Sequence, residues 1–213
     1  MKRREFALAA AALPGLLALP ALAQQSGKGY NELKQPAPVD TPAGQIEVIE
    51  FFSYGCSHCR HFEPVFSNWK KNQPKYVAVR MVHAGFNSAF EPLQRIYYAL
   101  ESIGKVDELH GKVYDALQAE KKADRKNLVQ PDVLFAWVAE QGVDRAKFEQ
   151  AYKSFGVASK VRRAVQLQEA YAVEGTPALG IAGRYYLDGN LAGSNEQMLR
   201  VADTLIAQLH KGG

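Results

Sequence analysis

The sequence predicts an α/β domain carrying an inserted all-helical segment. Three observations predict it. Two strand-like runs, "QIEVIEFF" (45–52) and "YVAVRMV" (76–82), bracket a helical pattern early in the chain. A strand pair, "TPALGIAGRYYL" (176–187), and one more helical pattern close it. Between these, residues 88–164 space their apolar side chains as helices do. The order of elements is β, α, β, a helical block, α, β, β, α, with a "CSHC" stretch where the first strand gives way to the first helix.

The first 23 residues read as a cleavable export signal. "MKRREF" is a basic head and "ALAAAALPGLLALP" an apolar run interrupted by Pro14 and Gly15. "ALA" at 21–23 is a small-x-small site, with cleavage expected after Ala23. The run is short and broken for a membrane anchor. Arg3, Arg4 and Phe6 match only part of a twin-arginine signal. Residues 24–44 are polar and proline-rich and read as a mobile lead-in.

The first strand is rich in β-branched and aromatic residues and nearly apolar on both faces, as a central strand requires. From Ser57 to about Lys71, Phe62, Val65, Phe66 and Trp69 share a helical face, and Pro64 should kink the helix. In the helical block, Ser88 and Glu91 suggest a capping box ahead of Phe90, Leu93, Ile96, Tyr97 and Leu100. Val106, Leu109, Val113 and Leu117 define a second helix. Pro131 opens a third and Gly142 closes it. Phe148, Tyr152 and Phe155 suggest a short fourth, and a long helix from about Ser159 to Tyr171 returns the chain. The late strands should turn at Ala182-Gly183, and Ser194 and Gln197 should start the last helix.

The chain has 213 residues and a formal net charge of +4. Without the signal about 190 residues remain, carrying about +2, which gives no electrostatic case for nucleic acid. No second apolar run is long enough to span a bilayer.

The only cysteines are Cys56 and Cys59, in "FFSYGCSHCRHFEPVF". Export would place them in an oxidising compartment, where a disulfide persists. A bridge closing so short a loop constrains the unfolded chain little, so chemistry is expected of it rather than stapling. Zinc would need a fourth ligand beside Cys56, Cys59 and His61, and His83, His110 and His210 are scattered. Haem attachment needs His directly after the second cysteine, where this chain has Arg60. A redox pair at a strand-to-helix junction remains. There Cys56 meets free backbone N–H groups and the positive dipole end, which favour a thiolate. Cys59, one turn on, should be more buried. His58 can add a donor or a positive charge. Strand alternation groups Glu50 with Ile46, Val48 and Phe52; desolvation there would raise its pKa, and it could exchange a proton with Cys59 through water. Glu63 reads as a helix-surface charge. Thr176-Pro177 by itself is a turn proline.

"EFFSYGCSHC" and "EGTPA", with this order of elements and the export signal, resemble the DsbA family, the periplasmic dithiol oxidases of the thioredoxin superfamily. The resemblance covers nearly all of the chain after the signal. It implies a thioredoxin fold over 45–87 and 165–213 with an inserted all-helical domain at 88–164. It implies that Pro177 is cis and beside the cysteines, that Cys56 is the nucleophile, and that Glu50 is the buried acid. The working group would be the Cys56–Cys59 disulfide, without metal or organic cofactor. Ser57 and Thr176 stand where the best-known members have Pro and Val; both positions touch redox poise and substrate contact. The implied partners are unfolded secreted proteins with free thiols and a quinone-linked membrane oxidase of the DsbB type. No nucleic acid is expected, and the protein should be a monomer. Substrate should be held by backbone pairing at the Thr176-Pro177 edge and by an apolar surface. Two rivals stand beside it: an exported isomerase or reductant that uses the same residues at lower potential, and a non-catalytic binding protein or holdase whose CxxC is incidental. The known dimeric isomerases carry an N-terminal dimerisation domain, for which the lead-in is too short.

Overall fold

The computed structural model describes residues 28–212. The expected export signal, and residues 24–27 of the expected lead-in, lie outside the described residues. Five strands form one sheet: β1 (Asn31–Glu32), β2 (Ile46–Phe52), β3 (Val77–His83), β4 (Ala178–Ile181) and β5 (Tyr185–Asp188), in the order β1-β5-β4-β2-β3. β2 lies inside the sheet, parallel to β3 and antiparallel to β4. From Val48 to Phe52 it is fully buried, as its near-continuous apolar run requires.

α1 (Ser57–Lys71) leaves the end of β2 and continues through Pro64 to its C-terminus. Phe62 and Phe66 pack with Val48 of β2 and with Met198, Leu199, Ala202 and Leu205 of the last helix, α8 (Asn195–Gly212). Val65, expected on the same face, is 41% exposed. The other side of the sheet, with Ile49 and Phe51, shares a second core with the helical block. That block contains α2 (Glu91–Ser102), α3 (Val106–Gln118), α4 (Pro131–Glu140) and α5 (Arg145–Lys153). α6 (Phe155–Ala170) brings the chain back, and the short α7 (Gly189–Ala192) links β5 to α8.

Three local expectations are corrected. Ser88 does not open a capping box: a 3-10 turn at Ser88–Phe90 precedes α2, and the Asn87 side chain caps it by accepting from the Ala89 N–H at 2.9 Å. Phe155 does not end the fourth helix. Ser154 is extended (ψ 153°) and its hydroxyl accepts from Val157 N–H, so a new helix starts at Phe155, four residues before the expected Ser159. Phe155 is then 79% exposed, with the Arg162 guanidinium over its ring. The boundary drawn between 164 and 165 falls within α6.

The third correction concerns the described part of the lead-in, which is not loose. β1 pairs with β5, Leu33 N–H donates to the Arg184 carbonyl at 2.7 Å, and Ala37 N–H to the Gly183 carbonyl at 2.8 Å. Tyr30 sits edge-on to Tyr185. Its proline-rich composition describes an extended chain, and the hairpin supplies the partners that composition cannot show. That hairpin turns at Ala182 (φ 51°) and Gly183 (φ 66°), both left-handed as a type I′ turn needs.

Gly180 tests the packing over the sheet. A Cβ there would come within 2.5 Å of the Tyr171 ring. That ring cannot swing away freely, because its hydroxyl accepts the Gly183 N–H at 2.9 Å and its face meets Phe51. Gly180→Ala should therefore destabilise the fold by about 1–3 kcal/mol through overpacking. Denaturant melts of variant and parent check this; equal midpoints would show that the Tyr171 layer is loose.

Candidate functional site

The end of β2 runs into a short turn, Ser53-Tyr54-Gly55, before α1. Each residue of it is fastened. The Ser53 hydroxyl accepts from Gly55 N–H at 3.2 Å, and the Ser53 carbonyl from Cys56 N–H at 3.0 Å. Tyr54 N–H donates to His83 Nε2 at 3.0 Å, and His83 Nδ1 donates to the Ala84 carbonyl at 2.8 Å. These two bonds fix one neutral tautomer, because Nε2 must keep its lone pair. Burial pushes the His83 pKa down to about 3.

Cys56 is the N-cap of α1, with extended backbone (φ −96°, ψ 116°). Its sulfur accepts the Cys59 N–H at 3.3 Å and lies 3.2 Å from the Thr176 carbonyl oxygen. The Cys56 pKa is lowered to about 5. The Cys59 thiol hydrogen bond contributes most, burial opposes it, and the Thr176 side chain and the backbone N–H groups of Cys59 and His58 add to it. His58 thus acts on the sulfur through its main chain; its side chain, like that of Ser57, is exposed. Cys59 is fully buried, and burial, then the hydrogen bond to Cys56 and the charge on Cys56, push its thiol far up. Both cysteines are free thiols in this structure.

The Thr176-Pro177 peptide is cis. With His58, Thr176 and Pro177 line a groove completed by Glu174, Asp188 and Asn195. That lining is polar: the β5–α7 junction supplies Asp188 and the start of α8 supplies Asn195.

Glu50 is 1% exposed, and its Oε2 has no hydrogen-bond partner among the described residues. Burial raises its pKa well above the usual range; the Glu63 and Cys56 charges add to the rise, and Lys70 opposes it. Glu63 is not the surface charge that the sequence suggested. It lies 3.2 Å from His110 Nε2 and accepts from the Ser67 hydroxyl, while His110 Nδ1 is 3.0 Å from the Tyr54 hydroxyl. Burial alone would raise the Glu63 pKa, but the His110 hydrogen bond and charge lower it on balance. Sequence reasoning also missed Gln118, whose amide reaches the active-site turn, and Glu47, fully buried and paired with Arg80 at 2.8 Å. Each of these residues has a decisive partner more than 25 positions away: His110 for Glu63, Tyr54 for Gln118 and Arg80 for Glu47. Among the described residues no group of three or more His, Cys, Asp or Glu is placed to hold a metal ion, and no helix is long and apolar enough to cross a membrane.

An N-cap cysteine with a lowered pKa, a buried second cysteine one turn on, and a cis Thr176-Pro177 peptide whose carbonyl meets the first sulfur define a thioredoxin-type dithiol centre. Consistently, the "Thioredoxin" family model matches residues 41–200. The chain is 43% identical to the thiol:disulfide interchange protein DsbA of Bordetella parapertussis over 206 residues, covering 96% of each. It is 37% identical to that of Pseudomonas aeruginosa over 181 residues, covering 85% of this chain and 83% of the relative. The crystal structure of Pseudomonas aeruginosa DsbA superposes with a TM-score of 0.80 at 35% identity, over 87% of this chain and 94% of that one. The oxidoreductase NmDsbA1 of Neisseria meningitidis does so with a TM-score of 0.73 at 27% identity, over 91% and 97%. The chain belongs to the DsbA family: it is a thiol:disulfide oxidoreductase on a thioredoxin fold with a helical insertion.

His83 makes the site acid-sensitive. Its folded pKa is depressed below the unfolded value of about 6.5. The stability it contributes is therefore fully present above about pH 6.5 and is lost as pH falls toward about 3. By pH 5 the loss should be about 2 kcal/mol. His83→Gln should be less stable than the parent at pH 7 but should show a flatter stability profile between pH 6.5 and 4. Parallel profiles in denaturant titrations would assign the acid sensitivity to other groups.

Proposed function

We propose that the protein is a periplasmic dithiol oxidase that donates its Cys56–Cys59 disulfide to newly exported proteins. The carrying observation is the asymmetry of the pair: Cys56 half-buried with a pKa near 5, Cys59 buried with its thiol pushed up. In the oxidised form a substrate thiolate attacks the Cys56 sulfur. The Cys56–Cys59 bond breaks, and Cys59 leaves as a thiolate. Buried and raised, that sulfur takes up a proton, for which protonated Glu50 is the nearby source through water. A second substrate thiolate then attacks the substrate sulfur of the mixed disulfide. Cys56 leaves as its stabilised thiolate, so the substrate loses two electrons and the enzyme gains them. A quinone-linked membrane protein of the DsbB type would remove them again. The protein would act as a monomer, without metal or organic cofactor. Thr176 and Pro177 would meet the substrate backbone, with Ser57 at the rim.

Cysteine variants test the order of attack. Cys56→Ser should abolish oxidation of a reduced model protein, and Cys59→Ser should accumulate mixed disulfides visible on non-reducing gels. A Cys59→Ser variant that forms no adducts would reverse the assignment. Equilibration with glutathione separates the oxidase from an isomerase or reductant, which would settle at a lower potential. Alkylation by iodoacetamide at low pH separates both from a holdase, whose cysteine would stay inert.

The role of Glu50 has its own readout. Glu50→Gln should change the pH dependence of disulfide exchange and slow it, while leaving the melting curve near the parent's. Superimposable pH–rate profiles would leave Glu50 without a part in the proton transfer.

A further inference from the structure

The C-terminal end of α3 reaches across from the helical block and grips the cysteine turn. The Gln118 side-chain amide donates to two main-chain carbonyls, that of Tyr54 at 2.6 Å and that of Cys56 at 3.2 Å. These flank Gly55, the most permissive link in the turn. The grip is reciprocal. Arg60, in the first turn of α1, donates to the Gln118 carbonyl and pairs with Asp115 at 2.9 Å. The Cys56 carbonyl also accepts the first helical bond, from Arg60 N–H at 3.2 Å. Gln118 therefore holds the peptide whose orientation decides where the Cys56 sulfur points.

We propose that Gln118 is a positioning residue for thiol–disulfide exchange: by pinning the Tyr54 and Cys56 carbonyls it keeps the Cys56 sulfur over the N–H groups that open α1. The reason is geometric. The Cys59 N–H holds the sulfur at 3.3 Å, an ordinary length for a sulfur acceptor, and that bond depends on the direction the Cys56 backbone gives the side chain. Rotation at Gly55 and Cys56 would turn the sulfur away from that N–H. No other side chain bonds to the Cys56 carbonyl among the described residues. The same bonds give the helical block a function at the redox centre beyond covering it. α3 shapes the turn from one side, and Thr176 faces the sulfur from the other.

The inference rests on Cys56 being the exchanging sulfur, yet its test needs no substrate, so the two can fail separately. Gln118→Met keeps the volume and removes the donor. Gln118→Glu also removes the donor and sets a carboxylate against two carbonyls. Thiolate ultraviolet absorbance of the reduced protein, followed against pH, reads the Cys56 midpoint directly. It should rise by about one unit in Gln118→Met and further in Gln118→Glu. The equilibrium with glutathione should shift several-fold toward a weaker oxidant in the same order. A merely structural tie would lower the melting temperature of both redox forms and leave the midpoint alone. A Gln118→Met midpoint equal to or below the parent's overturns the proposal, whatever the melting temperature does.

Discussion

Everything around the active site follows from keeping one sulfur charged at the mouth of a helix. A thiolate at Cys56 is favourable only while N–H donors point at it and the Cys59 thiol can donate to it. Those donors exist because α1 begins abruptly at Ser57, with no turn of helix before it. The abrupt start in turn needs a fixed approach, which Ser53, His83 and Gln118 supply from three separate parts of the chain. The sheet serves the same end. β2 delivers the turn, and the β4 strand places Thr176 and Pro177 against the sulfur.

Beneath the helix the protein does the opposite and withholds water. Cys59 and Glu50 are both buried, and both are thereby pushed toward their neutral forms. Glu63 keeps a negative charge nearby, tied to His110 from the helical block. Two carboxylates one element apart are thus pushed in opposite directions, Glu50 up by burial and Glu63 down by one imidazole. The aromatic box of Phe52, Tyr54, Tyr97 and Tyr114 around His110 excludes solvent from that arrangement.

The elements most legible in the sequence were those whose cause is local. "QIEVIEFF" names its own strand, and α1 spans the residues that the Phe62–Phe66 spacing and the N-cap cysteine suggest. Glu50 could be placed because alternation along a strand fixes its face. Phe155 was misread because its helical spacing continues from α5, and only the extended backbone of Ser154 breaks it. The lead-in was misread because its order comes from hairpin atoms some 150 positions away. Glu63, His83 and Gln118 share that difficulty. Each owes its importance to a partner that topology, not spacing, brings near.

The strap formed by residues 31–37 has a consequence for the company such a protein keeps. A dithiol centre that meets unfolded, thiol-bearing chains meets loose β-strands as well. A bare row of main-chain donors and acceptors on β5 would recruit them as extra strands. Asn31–Glu32, Leu33 and Ala37 occupy that row along the β5 edge and the turn before it. At the far border, β3 presents the charged Arg80, held by Glu47 and Asp40. The β5 flank is thus closed to edge-to-edge growth by the chain's own residues, and the β3 flank carries a charge.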